Sequence, residues 1–173
     1  MGMSVYTVGH GTRTAEELLD MLRGPQVETL VDVRRYPGSR RNPQFNQGAL
    51  AETLAAEGIA YRHVETLGGR LSGVPGEERF SCIRPPGFRS YAAHMGSPEW
   101  QEALATALEE PAPCFLCAET GWSRCHRRLI AELLVARGHR VLHLLPDRVE
   151  PHRCSDEAAV RGRRLYLSGE LVA

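Results

Sequence analysis

Apolar positions along the chain fall into short continuous runs that alternate with longer stretches at helical spacing. Ser4 to Val8 is a short β-rich run, broken by Gly9-His10-Gly11-Thr12. Thr14 with Glu17 three residues on has the form of a capping box, and Leu18, Leu19, Met21 and Leu22 give the following helix one apolar face. Gly24-Pro25 stops it. The run Thr29-Leu30-Val31-Asp32-Val33 reads as a buried strand, and Pro37 and Pro43 keep the polar stretch behind it out of a helix. A helix is predicted over 48–57 and a third strand over 59–63.

The pattern changes at residues 65–98, which are rich in Gly and Pro. A loop this long inside a compact domain is usually functional or disordered. Its anchors Leu67, Leu71, Phe80, Phe88 and Tyr91 favour an ordered lid, with one short helix at 90–95. A helix over 99–110 follows, carrying Trp100, Leu104 and Leu108 on one face. Cys114-Phe115-Leu116-Cys117 is then a strand, Ala118 to Ser123 a polar turn, and 124–137 a helix ended by Gly138. A strand at 141–145, a helix at 155–161 and an edge strand at 165–167 complete the prediction.

Strands alternating with helices predict an α/β fold: a single domain, 1–173, with a largely parallel sheet of about five strands, helices on both faces and a long lid-like loop. In such a sheet the strand C-termini share one edge, where ligands bind. The residues expected there are His10, Arg34, Arg35, His63 and Glu119, joined by Cys125, His126 and Arg127 from the next helix start.

Composition narrows the function. The content, 42% hydrophobic and 24% charged, is that of an ordinary globular protein. No apolar run approaches the roughly 18 residues of a membrane span, and the N-terminus reads as a strand, not a signal peptide. A cytoplasmic location without membrane association is the expectation. All 21 basic residues are Arg, so lysine chemistry is excluded. The net charge of zero means that nucleic-acid binding would need a local arginine cluster. Nothing in the sequence fixes the oligomeric state. The five cysteines are too few and too scattered for a disulfide scaffold, so reduced thiols are expected.

The candidate chemistry lies at the predicted sheet edge. Cys114 and Cys117 are three apart on a strand and point to opposite faces, so Cys114 is read as packing. Cys125, at a helix start among arginines, is either a nucleophilic thiolate or a small packed residue. No cofactor is expected; a metal on Cys117, Cys125 and a histidine would need a further ligand pair, which only scattered histidines could supply. Glu119 is either a general base or ribose ligand, or an ion-pair partner for Arg34 or Arg127. Gly9-His10-Gly11 has the look of a shortened phosphate-cradling turn. Arg34, Arg35 and Arg127 offer forked donors suited to phosphate or carboxylate.

The segments "TVGHGTRT", "LVDVRRYPGSRRNPQF", "YRHVETLGG", "FRSYAAHM" and "CFLCAETGWSRCHRRLIAELL" together resemble the bacterial and archaeal family named domain of unknown function 488. The resemblance runs roughly from Val5 to Val141. It implies signature positions at Gly9, His10, Asp32, Arg34, Tyr36, Pro37, Gly68, Tyr91, Cys117, Glu119, Cys125, His126 and Arg127. Gly11 stands where the family commonly has Ser, and the resemblance names no substrate. The leading expectation is an enzyme acting on a phosphate-bearing partner, a nucleotide or a nucleic-acid end. Gly9, Gly11, Arg34, Arg35, Tyr36, Tyr91, Cys117 and Arg127 would bind the substrate, Glu119 would be general base, and His10 or His126 general acid. The alternatives are thiol chemistry (sulfur transfer or redox) with Cys125 attacking and Cys117 its partner, and a non-catalytic nucleic-acid module clamping phosphate with Arg34, Arg35, Arg40 and Arg41.

Overall fold

Six strands form one sheet in the order β3-β2-β4-β1-β5-β6 in the computed structural model, which describes residues 2–173. They are β1 (Ser4–Gly9), β2 (Thr29–Asp32), β3 (Ala60–His63), β4 (Pro113–Cys117), β5 (Arg140–Leu144) and β6 (Val149–Pro151). The first five run parallel, and β6 pairs antiparallel with β5 as a sixth, edge strand beyond those expected.

Alternation along the buried strands divides the core in two. Val8, Leu30, Cys114, Leu116 and Leu144 point to the face covered by α1 (Ala15–Arg23) and α2 (Gln47–Ala56). Val5, Val31, Phe115, Cys117 and Val141 point to the face covered by α3 (Pro86–Met95), α4 (Pro98–Glu109) and α5 (Arg127–Ala136). Cys114 and Cys117 thus lie in different cores, as strand geometry requires. The predicted capping box forms: Thr14 Oγ1 accepts from the Glu17 amide, and Glu17 accepts from the Thr14 amide.

The segment 65–98 is ordered. Leu67, Phe80, Phe88 and Tyr91 are all buried, and α3 starts at Pro86, earlier than the predicted short helix. Trp100 ties this segment to the body: it is fully buried and its indole donates to the Tyr91 hydroxyl at 3.1 Å. Trp100→Ala is expected to cost about 3–5 kcal/mol, read as a lower denaturant midpoint at unchanged slope.

The tail departs from expectation. Residues 158–161 form a strand, β7 (Ala158–Arg161), not a helix. It pairs antiparallel with β8 (Arg164–Leu167), which pairs with β9 (Glu170–Leu171). Leu165, Leu167 and Val172 are buried against the α5 face, and this period-two burial is what overrides the helical reading.

Neighbouring strands that send their connections to opposite faces open a crevice between them. Here β1 and β2 lead to α1 and α2 on one face, while β4, lying between them, leads to α5 on the other. The crevice therefore opens at the C-terminal ends of β1, β4 and β2.

Candidate functional site

At that crevice the chain returns on itself. After β4, a 3-10 turn at Trp122–Arg124 brings Cys125 back to the strand end in extended conformation, and α5 begins two residues later. The helix thus starts at Arg127, later than the predicted Arg124. Cys117 and Cys125 meet sulfur to sulfur, with Cα atoms 7.7 Å apart. This corrects the expectation of five reduced thiols; Cys82, Cys114 and Cys154 are free. The amide of Arg127, the first helical residue, donates to Cys125 Sγ at 3.4 Å. Cys125 precedes the helix, but its sulfur faces the helix's first N–H, which favours the thiolate form when the sulfurs are apart.

His126 is fixed by its two sides. Its Nε2 lies 2.9 Å from the Val33 carbonyl, which can only accept, so Nε2 carries the proton. The other nitrogen, Nδ1, is left as a lone pair 3.6 Å from Cys125 Sγ. Burial, then the charges of Arg127 and Arg35, outweigh the Val33 and Leu67 carbonyls and hold its pKa at about 4. Gly69 packs directly beneath this ring: a Cβ there would stand 2.8 Å from Nδ1.

Arg34 is buried and forked onto Asp32, with Nε 2.8 Å from Oδ1 and Nη2 2.6 Å from Oδ2. Nη2 also donates to the Phe45 carbonyl at 2.8 Å, and Nη1 approaches His10 Nε2 at 3.3 Å. Of its five N–H groups one remains, on Nη1. Arg35 donates to the carbonyls of Gly69 and Gly68, at 2.9 and 3.3 Å, and so holds the start of the long segment against β2.

A cavity of about 220 Å³ is lined by Arg34, Arg35, Tyr36, Tyr91, Cys117, Glu119, Cys125 and His126, all anticipated from sequence, and by Gly69, Arg70, Pro85, Gly87, Phe88, Ala118 and Arg124. A neighbouring cavity of about 640 Å³ shares Arg34, Tyr36, Arg70, Ala118 and Glu119 and adds His10, Gly11 and Arg41. The Glu119 side chain is exposed between them, in an ion pair with neither Arg34 nor Arg127. A larger cavity, about 840 Å³, lies elsewhere, beside α1 and β5 among Tyr6, Met21, Leu145 and Pro146, and has no thiol or imidazole.

Other anticipated residues take structural places. Arg127 is 1% exposed and its guanidinium donates to Thr7 Oγ1 and to the Glu119 and Thr120 carbonyls; burial lowers its pKa to about 10. It braces the ends of β1 and β4 and lies outside both crevice cavities. Gly9 is needed because a Cβ would fall 1.7 Å from the Glu119 carbonyl oxygen. The amides of His10 and Gly11 donate to Cys117 and Ala118, so this turn joins strands instead of cradling phosphate. His10 stacks on Phe45, and its Nδ1 donates to the Gly11 carbonyl. Tyr91 lies beneath the cavity with its hydroxyl on the Leu67 carbonyl; burial raises its pKa. Its phenol braces this segment and is not poised to close over a ligand. Of the proposed four-arginine clamp only Arg40 and Arg41 are exposed, so no single basic surface forms.

Sequence reasoning missed Arg70 and Arg124, both exposed at the cavity. Arg70 stands at φ 60°, where a non-glycine residue costs roughly 1–3 kcal/mol and marks functional sites. Arg70→Gly is expected to leave the melting temperature unchanged or higher while weakening ligand binding; a lower melting temperature would assign Arg70 a structural role.

Also missed is a buried relay behind the crevice. Thr7 Oγ1 lies 2.6 Å from His143 Nδ1, and His143 Nε2 lies 2.9 Å from His152 Nδ1. Trp122 stacks on His143 at 4.5 Å. Burial, chiefly, holds His143 at about 3 and His152 at about 4. These rings and His126 are neutral when folded, whereas an unfolded chain binds their protons below about pH 6.5. Stability is therefore complete above pH 6.5 and is expected to fall steeply as pH drops towards 4. The Glu132 carboxyl, pushed up by burial, opposes this over part of the range. Denaturant midpoints at stepwise pH check it, and His143→Gln should flatten the slope.

The fold and site define a largely parallel-sheet α/β protein with a cysteine-pair and imidazole centre inside an arginine-lined crevice. The chain belongs to the family described as Domain of unknown function DUF488, whose model matches residues 14–134. The match spans Arg34 to Arg127 but begins after the Gly9-His10-Gly11 turn. No curated protein and no solved structure matches the chain. No helix among the described residues is long and apolar enough to cross a membrane.

Proposed function

We propose that this protein is an enzyme acting on a phosphate-bearing substrate, a nucleotide or a nucleic-acid end, bound at the strand C-termini. One observation carries the reading: Arg34, Arg35, Arg70 and Arg124 border the same cavity as Cys117, Cys125 and His126, with Glu119 its one carboxylate. Positive charge around a space with one acid suits a phosphate: the exposed Arg70 and Arg124 offer their forks to its oxygens, and Arg34 keeps one N–H on Nη1. Arg34 and Arg35 are pre-oriented by their protein partners and pay little entropy on binding; Arg70 and Arg124 are the exposed arms.

The roles shift from those expected. Glu119 is the side chain placed to take a proton as general base. The general-acid role falls away from His10 and His126, because each ring's N–H is already given to a carbonyl and burial lowers both pKa values. A panel of nucleotides is expected to raise the melting temperature, and no shift with any of them would count against the reading.

The contact between Cys117 and Cys125, with an imidazole lone pair beside Cys125, favours a second reading in which the chemistry is sulfur transfer or thiol redox. On that reading the reduced Cys125 alkylates near neutral pH faster than Cys82 and Cys154, the exposed cysteines. An equal rate removes it.

A further inference from the structure

We infer that Cys117, Cys125 and His126, once the thiols are reduced, form a three-ligand zinc site whose open fourth position faces the arginine-lined cavity. The ligand atoms of these three residues all lie within 4.8 Å of one another, and this is the one such cluster among the described residues. Two thiolates and an imidazole are a soft, mixed donor set that suits Zn²⁺ over magnesium or calcium, which take oxygen ligands.

Three details of the surroundings match what a metal needs. The Val33 carbonyl takes the Nε2 proton of His126, so Nδ1 presents a lone pair towards Cys125; metal-bound histidines are held in this way by an outer carbonyl or carboxylate. The Arg127 amide donates to Cys125 Sγ, which stabilises a thiolate. Finally, all three residues line the 220 Å³ cavity, which leaves room for a water or a substrate oxygen in the fourth position.

Charge allows the ion despite the arginines. Binding releases two thiol protons to solvent, and the resulting thiolates balance the two positive charges of zinc. The centre is then neutral beside Arg34 and Arg35. This inference does not depend on a phosphate-bearing substrate, since it concerns what the three side chains hold before any substrate arrives.

The test uses the whole chain, purified under reductant without oxygen, stripped with a chelator and titrated with Co²⁺. One cobalt per chain is expected, with thiolate-to-metal charge-transfer absorption and the visible bands of a tetrahedral site, all displaced by Zn²⁺. Cys117→Ser and Cys125→Ser should each weaken zinc binding by more than the roughly 10–100-fold that loss of an outer partner costs. Cys82→Ser and Cys154→Ser should change nothing. A reduced wild-type chain without the charge-transfer band overturns the inference, whether or not the variants fold. So does a Cys117–Cys125 bond that persists under strong reductant. Because the readout needs no nucleotide, its failure is separate from failure of the phosphate reading.

Discussion

Asp32→Ala is expected to destabilise the protein by about 3–5 kcal/mol, the range for breaking a buried ion pair from one side. Asp32 is fully buried and Arg34 is 7% exposed. The carboxylate accepts from the Arg34 amide at 3.1 Å, from Nε and Nη2 of its guanidinium, and from the Tyr61 hydroxyl. Removing it leaves a buried guanidinium with the Phe45 carbonyl and His10, and a phenol with no acceptor. The cost comes mostly from that stranded charge. Replacing both partners, Asp32→Leu with Arg34→Met, is therefore expected to recover much of the loss. Denaturant midpoints at constant slope measure both; a loss under about 1 kcal/mol for Asp32→Ala would mean that Arg34 finds water in the crevice.

Arg70→Glu combined with Arg124→Glu is expected to weaken binding of a phosphate-bearing ligand by two orders of magnitude or more. A hydrogen bond to a charged group contributes about 1.5–3 kcal/mol, so each arginine accounts for about tenfold to a hundredfold. Charge reversal adds repulsion that grows at low salt. Both residues are exposed, so the variant should fold with stability within about 0.5 kcal/mol of the parent. Titration calorimetry at two salt concentrations reads the effect. An unchanged affinity would move the ligand away from this cavity.

How the site came to be legible in the sequence follows from where it sits. A buried strand that ends in a charged residue can be read directly, and so Arg34 after β2 and Glu119 after β4 were placed at the crevice. The capping box at Thr14 and the opposite faces of Cys114 and Cys117 are likewise local rules. What decides the meeting of Cys117 and Cys125 is the return of the 122–124 turn, and no spacing rule encodes that path. Arg127 misled because an arginine at a helix start has the same sequence signature whether its guanidinium meets a ligand or, as here, the carbonyls of Glu119 and Thr120. Arg70 left no signal, being a single charge in a polar loop, and Arg124 was read only as the first residue of a helix; tertiary folding brings both to the cavity. In the tail, the polar stretch from Ser155 offered a plausible helix, and only burial of Leu165, Leu167 and Val172 against α5 selects strands.

The structure also separates two tasks that the sequence ran together. One set of residues holds the strand ends in place: Gly9 against Glu119, Arg127 across β1 and β4, Asp32 on Arg34. Another set faces the open space: Arg70, Arg124, Tyr36, Glu119 and the Cys117–Cys125–His126 centre. Substitutions in the first set, and at the buried Cys117 and Cys125 and the half-buried His126, should lower stability and function together, whereas those at the exposed Arg70, Arg124, Tyr36 and Glu119 should lower function alone.

If the crevice at the ends of β1, β4 and β2 takes the phosphate-bearing ligand, a two-dimensional NMR titration of the wild-type protein with nucleoside mono-, di- and triphosphates, following the arginine Nε–H signals, reads it out. Arg35, Arg70 and Arg124 are expected to shift together and saturably, while Arg148 and Arg13, beside the 840 Å³ cavity, stay still. Saturable shifts at Arg13 and Arg148 with Arg35, Arg70 and Arg124 unmoved, or no saturable shift at all, would contradict it.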